Sequence, residues 1–316
     1  MILLTALLAA GIALAVLAPA FLSRVDFTAA PVAGLVAWLG ALVATIGCGV
    51  LAVIALAWPG DPPGNVLAGT VVRSLAAVEP AVVTWAAGLI MPIAVVATIV
   101  PTGQLARIVV GYRGRGAALR RKHWELVEMV GRVDGAGAKL VRLDHPIPLA
   151  YSVAGRGGYV VVTDGLRSCL TEPQWRAVLA HEHAHLRGFH HHILGVCQVL
   201  AQAFSWIPLF AAAPVAVATL VEFAADRSAA ASTDSRALSG ALHTVASRMP
   251  SIPGTSLRLI DDSLSMRLEC LAAAPESRAV ARRTAITMLV AVMLLAPAAA
   301  VAVVGVSAAL VSALVV

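Results

Sequence analysis

Residues 1–22, 34–58, 81–101 and 284–316 contain not one charged side chain. Each run is long enough to cross about 30 Å of hydrocarbon at roughly 1.5 Å per helical residue. A chain so built cannot fold as an ordinary soluble domain. Hydrophobic residues make up 59% of it and charged residues 13%, against roughly 25% charged in soluble proteins. The first run could be read as a cleaved signal peptide, but it lacks the basic start such peptides use. The expectation is an integral membrane protein with three spans in 1–112 (about 1–22, 34–58 and 81–101) and a fourth at 284–316.

The basic residues orient it. RGRGAALRRK follows the third run and holds Arg113, Arg115, Arg120, Arg121 and Lys122 without an acid. The 59–80 loop has only Arg73 against Asp61 and Glu79, and the 23–33 loop has Arg24. Basic loops stay in the cytoplasm, so both termini are expected outside and 113–283 inside. The cluster is explained by topology and anionic membrane lipids, and no direct nucleic-acid binding is read from it. The four cysteines form no CxxC pair, so neither a thiolate zinc site nor a disulfide framework is suggested.

Within 113–283, a helix is expected from Ala117 to about Val133. IPLAYSV and GYVVVT flank AGRGG and read as a β-hairpin. TEPQ follows. Thr171 and Gln174 form a capping box, and Pro173 sits in the first turn of the next helix, where proline is tolerated. The segment 193–221 is 29 residues without charge. A true crossing would put its two ends on opposite sides of the membrane. As a hairpin its legs have about 14 residues and reach about 20 Å, short of a span. A re-entrant hairpin, or one buried against the other helices, keeps both ends in the cytoplasm.

The chemistry lies in HEHAHLRGFHHH, residues 181–192. On a helix, His181 and His185 stand one turn apart on one face and can reach one ion. Glu182 lies about 100° round and can take a proton from a metal-bound water. Zinc lowers the pKa of that water to near 7. His183 points away.

Two residues could close the site. His191 completes HExxHxxGxxH, with Gly188 as the turn. Glu222, in VEFAAD, would instead come from a second helix. Asp226, four residues on, would then hold a zinc-bound histidine in its tautomer. The His191 pattern calls for a methionine turn, and neither Met249 nor Met266 sits in a convincing one. It also leaves Glu222 and Asp226 idle, so Glu222 is the favoured third ligand and His191 the alternative.

PLAYSV, VVVTDGL, LTEPQWRAVLAHEHAHLRGFHH, EFAAD and MRLECL together resemble the catalytic domain of the beta-lactam-sensing transducers, membrane zinc peptidases of the BlaR/MecR type. The resemblance covers roughly residues 145–270. It implies a gluzincin-like site with one zinc ion on His181, His185 and Glu222, with Glu182 as base. It also implies proteolysis of a winged-helix repressor, of the protein itself, or of both, with the strand around 147–153 binding substrate. The family's sensor domain carries an acylated serine in Ser-x-x-Lys. Leu119 and Ala136 stand where that serine would precede Lys122 and Lys139, so direct covalent sensing of a beta-lactam is not expected and the sensor half is read as lacking. His243 and Arg267 are basic, downstream candidates to stabilise the oxyanion, and Arg267 could equally pair with an acid.

The fold class expected is therefore mainly α. A polytopic membrane helical protein carries a small α+β gluzincin-like zinc peptidase domain, 113–283, at the cytoplasmic face. Rival readings are a housekeeping membrane protease of the heat-shock or CAAX-processing type, and a zinc-binding membrane scaffold or sensor without proteolysis.

Overall fold

The computed structural model describes residues 2–57, 95–96, 99–118, 121–122, 125, 131–134, 140–155, 158–248 and 257–272. The C-terminal run 284–316 and most of 81–101 lie outside the described residues, as does Met249. The chain opens with two helices, α1 (Ile2–Leu22) and α2 (Pro31–Ala57). Residues 99–118 are also helical. Four strands follow: β1 (Gly131–Asp134), β2 (Leu140–Leu143), β3 (Ala150–Val153) and β4 (Tyr159–Thr163). The rest is helical: α3 (Asp164–Cys169), α4 (Glu172–Arg187), α5 (His190–Ala203), α6 (Pro208–Ser232), α7 (Ser235–Arg248) and α8 (Leu257–Ala272).

Among the described residues, two helical stretches are long and apolar enough to cross a membrane, Pro31–Ile54 and Pro208–Ser232. The described apolar part of α1, Leu7–Leu22, is shorter. The uncharged segment 193–221 folds back on itself. α5 ends at Ala203, a turn at 204–207 carries the exposed Trp206, and α6 begins at Pro208. α1, α2, α5 and α6 share one apolar core that includes Leu22, Trp38, Leu42, Cys197, Leu209, Val217 and Val221. Gly34 of α2 faces Leu220 of α6, and a Cβ on it would come within 2.8 Å of Leu220 Cδ2. The missing side chain lets the two helices close.

The second core is that of a small α+β layer. The sheet order is β1-β2-β4-β3, with β2 and β4 parallel and the outer pairs antiparallel. β3 and β4 form the hairpin that the alternation predicts. The expected helix over Ala117–Val133 is corrected at its end, because residues 131–134 pair as strand β1 with β2. Both strands are short, and β2 is held on its other side by parallel pairing with β4, about 20 residues on. Val160 and Val162 of β4 face α3, α4 and α7 through Leu166, Leu170, Trp175 and Ala241. Val161 faces the other way with Val141, Tyr151 and Val153. Strand period two therefore puts Ser152 of β3 on the α4 side. Thr163 ties the chain ahead of β3 to β4, its hydroxyl donating to Ile147 O at 2.7 Å and accepting from Leu149 N at 2.9 Å. That leaves β3 as the edge strand beside α4.

Candidate metal centre

α4 starts where the capping residues predict. The Thr171 N–H donates to Gln174 Oε1 at 3.0 Å, and Pro173 sits in the first turn. Its buried positions include Trp175, Ala177, His181, Glu182, Ala184 and His185. The helical period thus turns the motif inward, toward α6. Ala177 of α4 and Ala229 of α6 are both fully buried in one cluster with Leu238. Small side chains at this seam let the helices approach closely enough for polar groups to meet.

The meeting is tight. His181, His185 and Glu222 each offer a ligand atom, and these atoms lie within 4.8 Å of one another. His181 Nε2 and His185 Nε2 are 3.0 Å apart. Glu222 Oε2 is 3.6 Å from the first and Oε1 is 3.5 Å from the second. Behind them, His181 Nδ1 lies 2.9 Å from Asp226 Oδ1, near in distance but short of the alignment of a full hydrogen bond. Arg267 of α8 grips Asp226 with both ends of its fork, Nε to Oδ2 and Nη2 to Oδ1, each at 2.7 Å. Its Nη1 also lies 3.2 Å from Glu222 Oε2. Asp226 is 1% exposed, so this bidentate pair is what makes its burial tolerable.

Two facing imidazole nitrogens at 3.0 Å cannot both present lone pairs without a proton or a cation between them. The protonation balance reflects this. Burial pulls His181 down, but the adjacent carboxylates of Asp226 and Glu222 outweigh it and lift His181 to about 9. Burial and the charge on His181 together push His185 down to about 4. Glu182 is held above the usual carboxylate range, chiefly by burial, with the charge on His181 opposing the rise. Two imidazoles and one carboxylate are a donor set suited to zinc. A protonated His181 would have to shed its proton for a metal to bind there. The residues present fit the metal.

The other sequence candidates fall elsewhere. His191 does not join the converging group. Its Nε2 lies 3.1 Å from Ser152 Oγ instead. His243 is exposed on α7, and among the described residues no hydrogen bond or ion pair joins it to the cluster. Arg267 is fully engaged with two carboxylates, so its guanidinium braces α6. Met266 is 43% exposed on α8 and underlies nothing. Sequence reasoning missed two residues, Ser152 and His190. His190 is buried, and its Nδ1 lies 3.1 Å from His185 Nδ1.

Residues 117–251 match the family model described as Peptidase family M48. This match spans the sheet, the motif helix and both acids of α6, and it supports a zinc metallopeptidase of a membrane type. No curated protein and no solved structure matches the chain.

Proposed function

We propose that this chain is an integral membrane zinc metalloendopeptidase that cuts a cytoplasmic protein, in the regulated proteolysis of a transcriptional repressor. The observation that carries the peptidase reading is the convergence of His181, His185 and Glu222, with Glu182 buried beside them and β3 running along the site. His181, His185 and Glu222 would hold the ion. Zinc bound there supplies Lewis acidity and a water acidified to near neutral pH. Glu182 takes the water's proton and returns it to the leaving amine, a task suited to a carboxyl whose pKa burial has raised. β3 lies at the sheet edge, a position where an extended peptide can add as a further strand.

The membrane and cytoplasmic parts of the proposal rest on the charge pattern and on α6. This helix is 25 residues, about 37 Å long. Its uncharged part, 208–221, covers only about 21 Å, less than a bilayer core. The hairpin then dips into the membrane and returns, leaving Glu222 and Asp226 on the side of α4. The repressor reading is supported by the resemblance, whose last motif, MRLECL, supplies Arg267 to the site from beyond the matched residues.

The test expresses the wild type and Glu182→Gln with a candidate winged-helix repressor, and follows repressor and protease by immunoblot under cell-wall stress. Repressor or self fragments are expected in the wild type only. Equal fragments in both strains would assign the cleavage to another protease. Glu182-dependent loss of many membrane proteins, with the repressor intact, would favour the housekeeping role.

A further inference from the structure

His190 lies outside the HExxH motif, yet it is as buried as the motif histidines. Its ring stands perpendicular to that of His185, centroids 4.9 Å apart, with the two Nδ1 atoms 3.1 Å from each other. The backbone builds this contact. α4 ends at Gly188, and Phe189 adopts a left-handed conformation with φ of 52°. The elbow swings the first residue of α5 back onto the last turn of α4. A Cβ at Gly188 would meet His190 Nε2 at 2.3 Å, so glycine leaves the ring its space.

Two nitrogens at this distance share one proton, and its owner matters. His185 Nε2 points toward His181 and Glu222. A neutral His185 can offer a lone pair there only if its proton sits on Nδ1. That N–H must then donate to His190 Nδ1, and His190 carries its own proton on Nε2. The reverse arrangement leaves a proton on His185 Nε2 and blocks the ligand.

We propose that His190 is a positioning residue of the metal centre, accepting from His185 Nδ1–H and so fixing the tautomer and ring plane of the second ligand. It does for His185 what Asp226 does for His181, with a neutral acceptor in place of a carboxylate. This rests on the metal-site reading given above. Partners of this kind change metal affinity by about 10- to 100-fold when lost.

The experiment measures zinc affinity by chelator competition on detergent-purified full chain. It compares wild type, His190→Leu, His190→Asn and His192→Leu, with circular dichroism of each metal-free protein as the folding control. Asn Oδ1 branches from the side chain where His Nδ1 does, so it keeps the acceptor in place. His190→Leu is expected to weaken zinc about 10- to 100-fold, while His190→Asn stays within about threefold and His192→Leu is unchanged. Equal affinity in His190→Leu and wild type overturns the proposal. Equal weakening in Leu and Asn overturns it too, since packing alone would then matter. Should the Leu variant not fold, ¹⁵N-histidine spectra of the zinc-loaded wild type decide, with His190 expected to be protonated on Nε2 and bare on Nδ1. A proton on His190 Nδ1 contradicts the assignment. Failure of the wild type to bind stoichiometric zinc would instead overturn the metal site itself, and this role with it.

Discussion

α4 and α6 bring the reacting groups together, and they are held by different means. α4 belongs to the α+β layer built on the four-stranded sheet. Its start is capped by Thr171 and Gln174, and its apolar stripe packs through Trp175 onto the sheet. α6 begins as an uncharged helix among α1, α2 and α5, with Leu209, Ala213 and Val217 fully buried there. Only in its last three turns does it turn polar, with Glu222, Asp226 and Arg227. His181, Glu182 and His185 are thus placed by one core, and Glu222 and Asp226 by another. The centre forms at the seam, where Ala177 meets Ala229 and Arg267 clamps both acids. A disturbance in the apolar helices can therefore move the third ligand while α4 stays still. Another contact serves the same coupling. The loop between α1 and α2 is held by Arg227 donating to Ala29 O and by Cys270 Sγ donating to Thr28 O, next to the residues that build the site.

Substitutions can probe the two halves separately. On the α4 side, Glu182→Gln should retain the metal and the fold and lose about 10²- to 10⁴-fold in turnover, the span expected for removing a general base. A peptide assay beside metal analysis checks it. At the seam, Asp226→Ala takes the bidentate partner from the buried Arg267, leaving it only Glu222, and should cost up to about 3–5 kcal/mol, read as a lowered melting temperature in detergent. In the apolar half, Gly34→Val presses on Leu220, two residues before Glu222. It should cost about 1–3 kcal/mol as overpacking and also loosen zinc, although no ligand is touched. Lowered melting with zinc affinity intact would show that the two cores are independent.

The smallest effect is one of pH. In the metal-free protein His181 titrates at about 9, above its unfolded value of roughly 6.5. Its contribution to stability is complete below the unfolded value and is lost as pH rises from there through about 9. Zinc must displace that proton, so zinc affinity should rise by up to about tenfold per pH unit, or about 1.4 kcal/mol, between pH 6.5 and 8.5. The zinc-induced gain in melting temperature should widen over the same range. A gain independent of pH would place the proton elsewhere.

Much of this arrangement is legible in the sequence where the signal is local. The four-residue spacing of His181 and His185 and the Thr171–Gln174 cap are all set within a turn or two of helix. So is the alternation in YVVVT. The position of Glu222 is legible for a different reason, because an acid ending a long uncharged run must face something other than lipid. What stays hidden depends on contacts distant along the chain. β2 is fixed by its parallel pairing with β4, some 20 residues on. Arg267 looks the same as an oxyanion donor or as a brace until Asp226 is seen between its nitrogens. His190, in a run of three histidines, reads as a polar cluster at the membrane boundary. Its role emerges only once Phe189 turns left-handed and folds it back onto His185.

The central claim is that the centre is closed from α6, across the seam, and not from within the α4–α5 segment. Zinc content of purified wild type, Glu222→Ala and His191→Ala, prepared side by side and measured by atomic emission, tests it most directly. Stoichiometric zinc is expected in the wild type and in His191→Ala, and its loss in Glu222→Ala. Full zinc in Glu222→Ala together with loss in His191→Ala would show that HExxHxxGxxH closes the site by itself and would contradict the account.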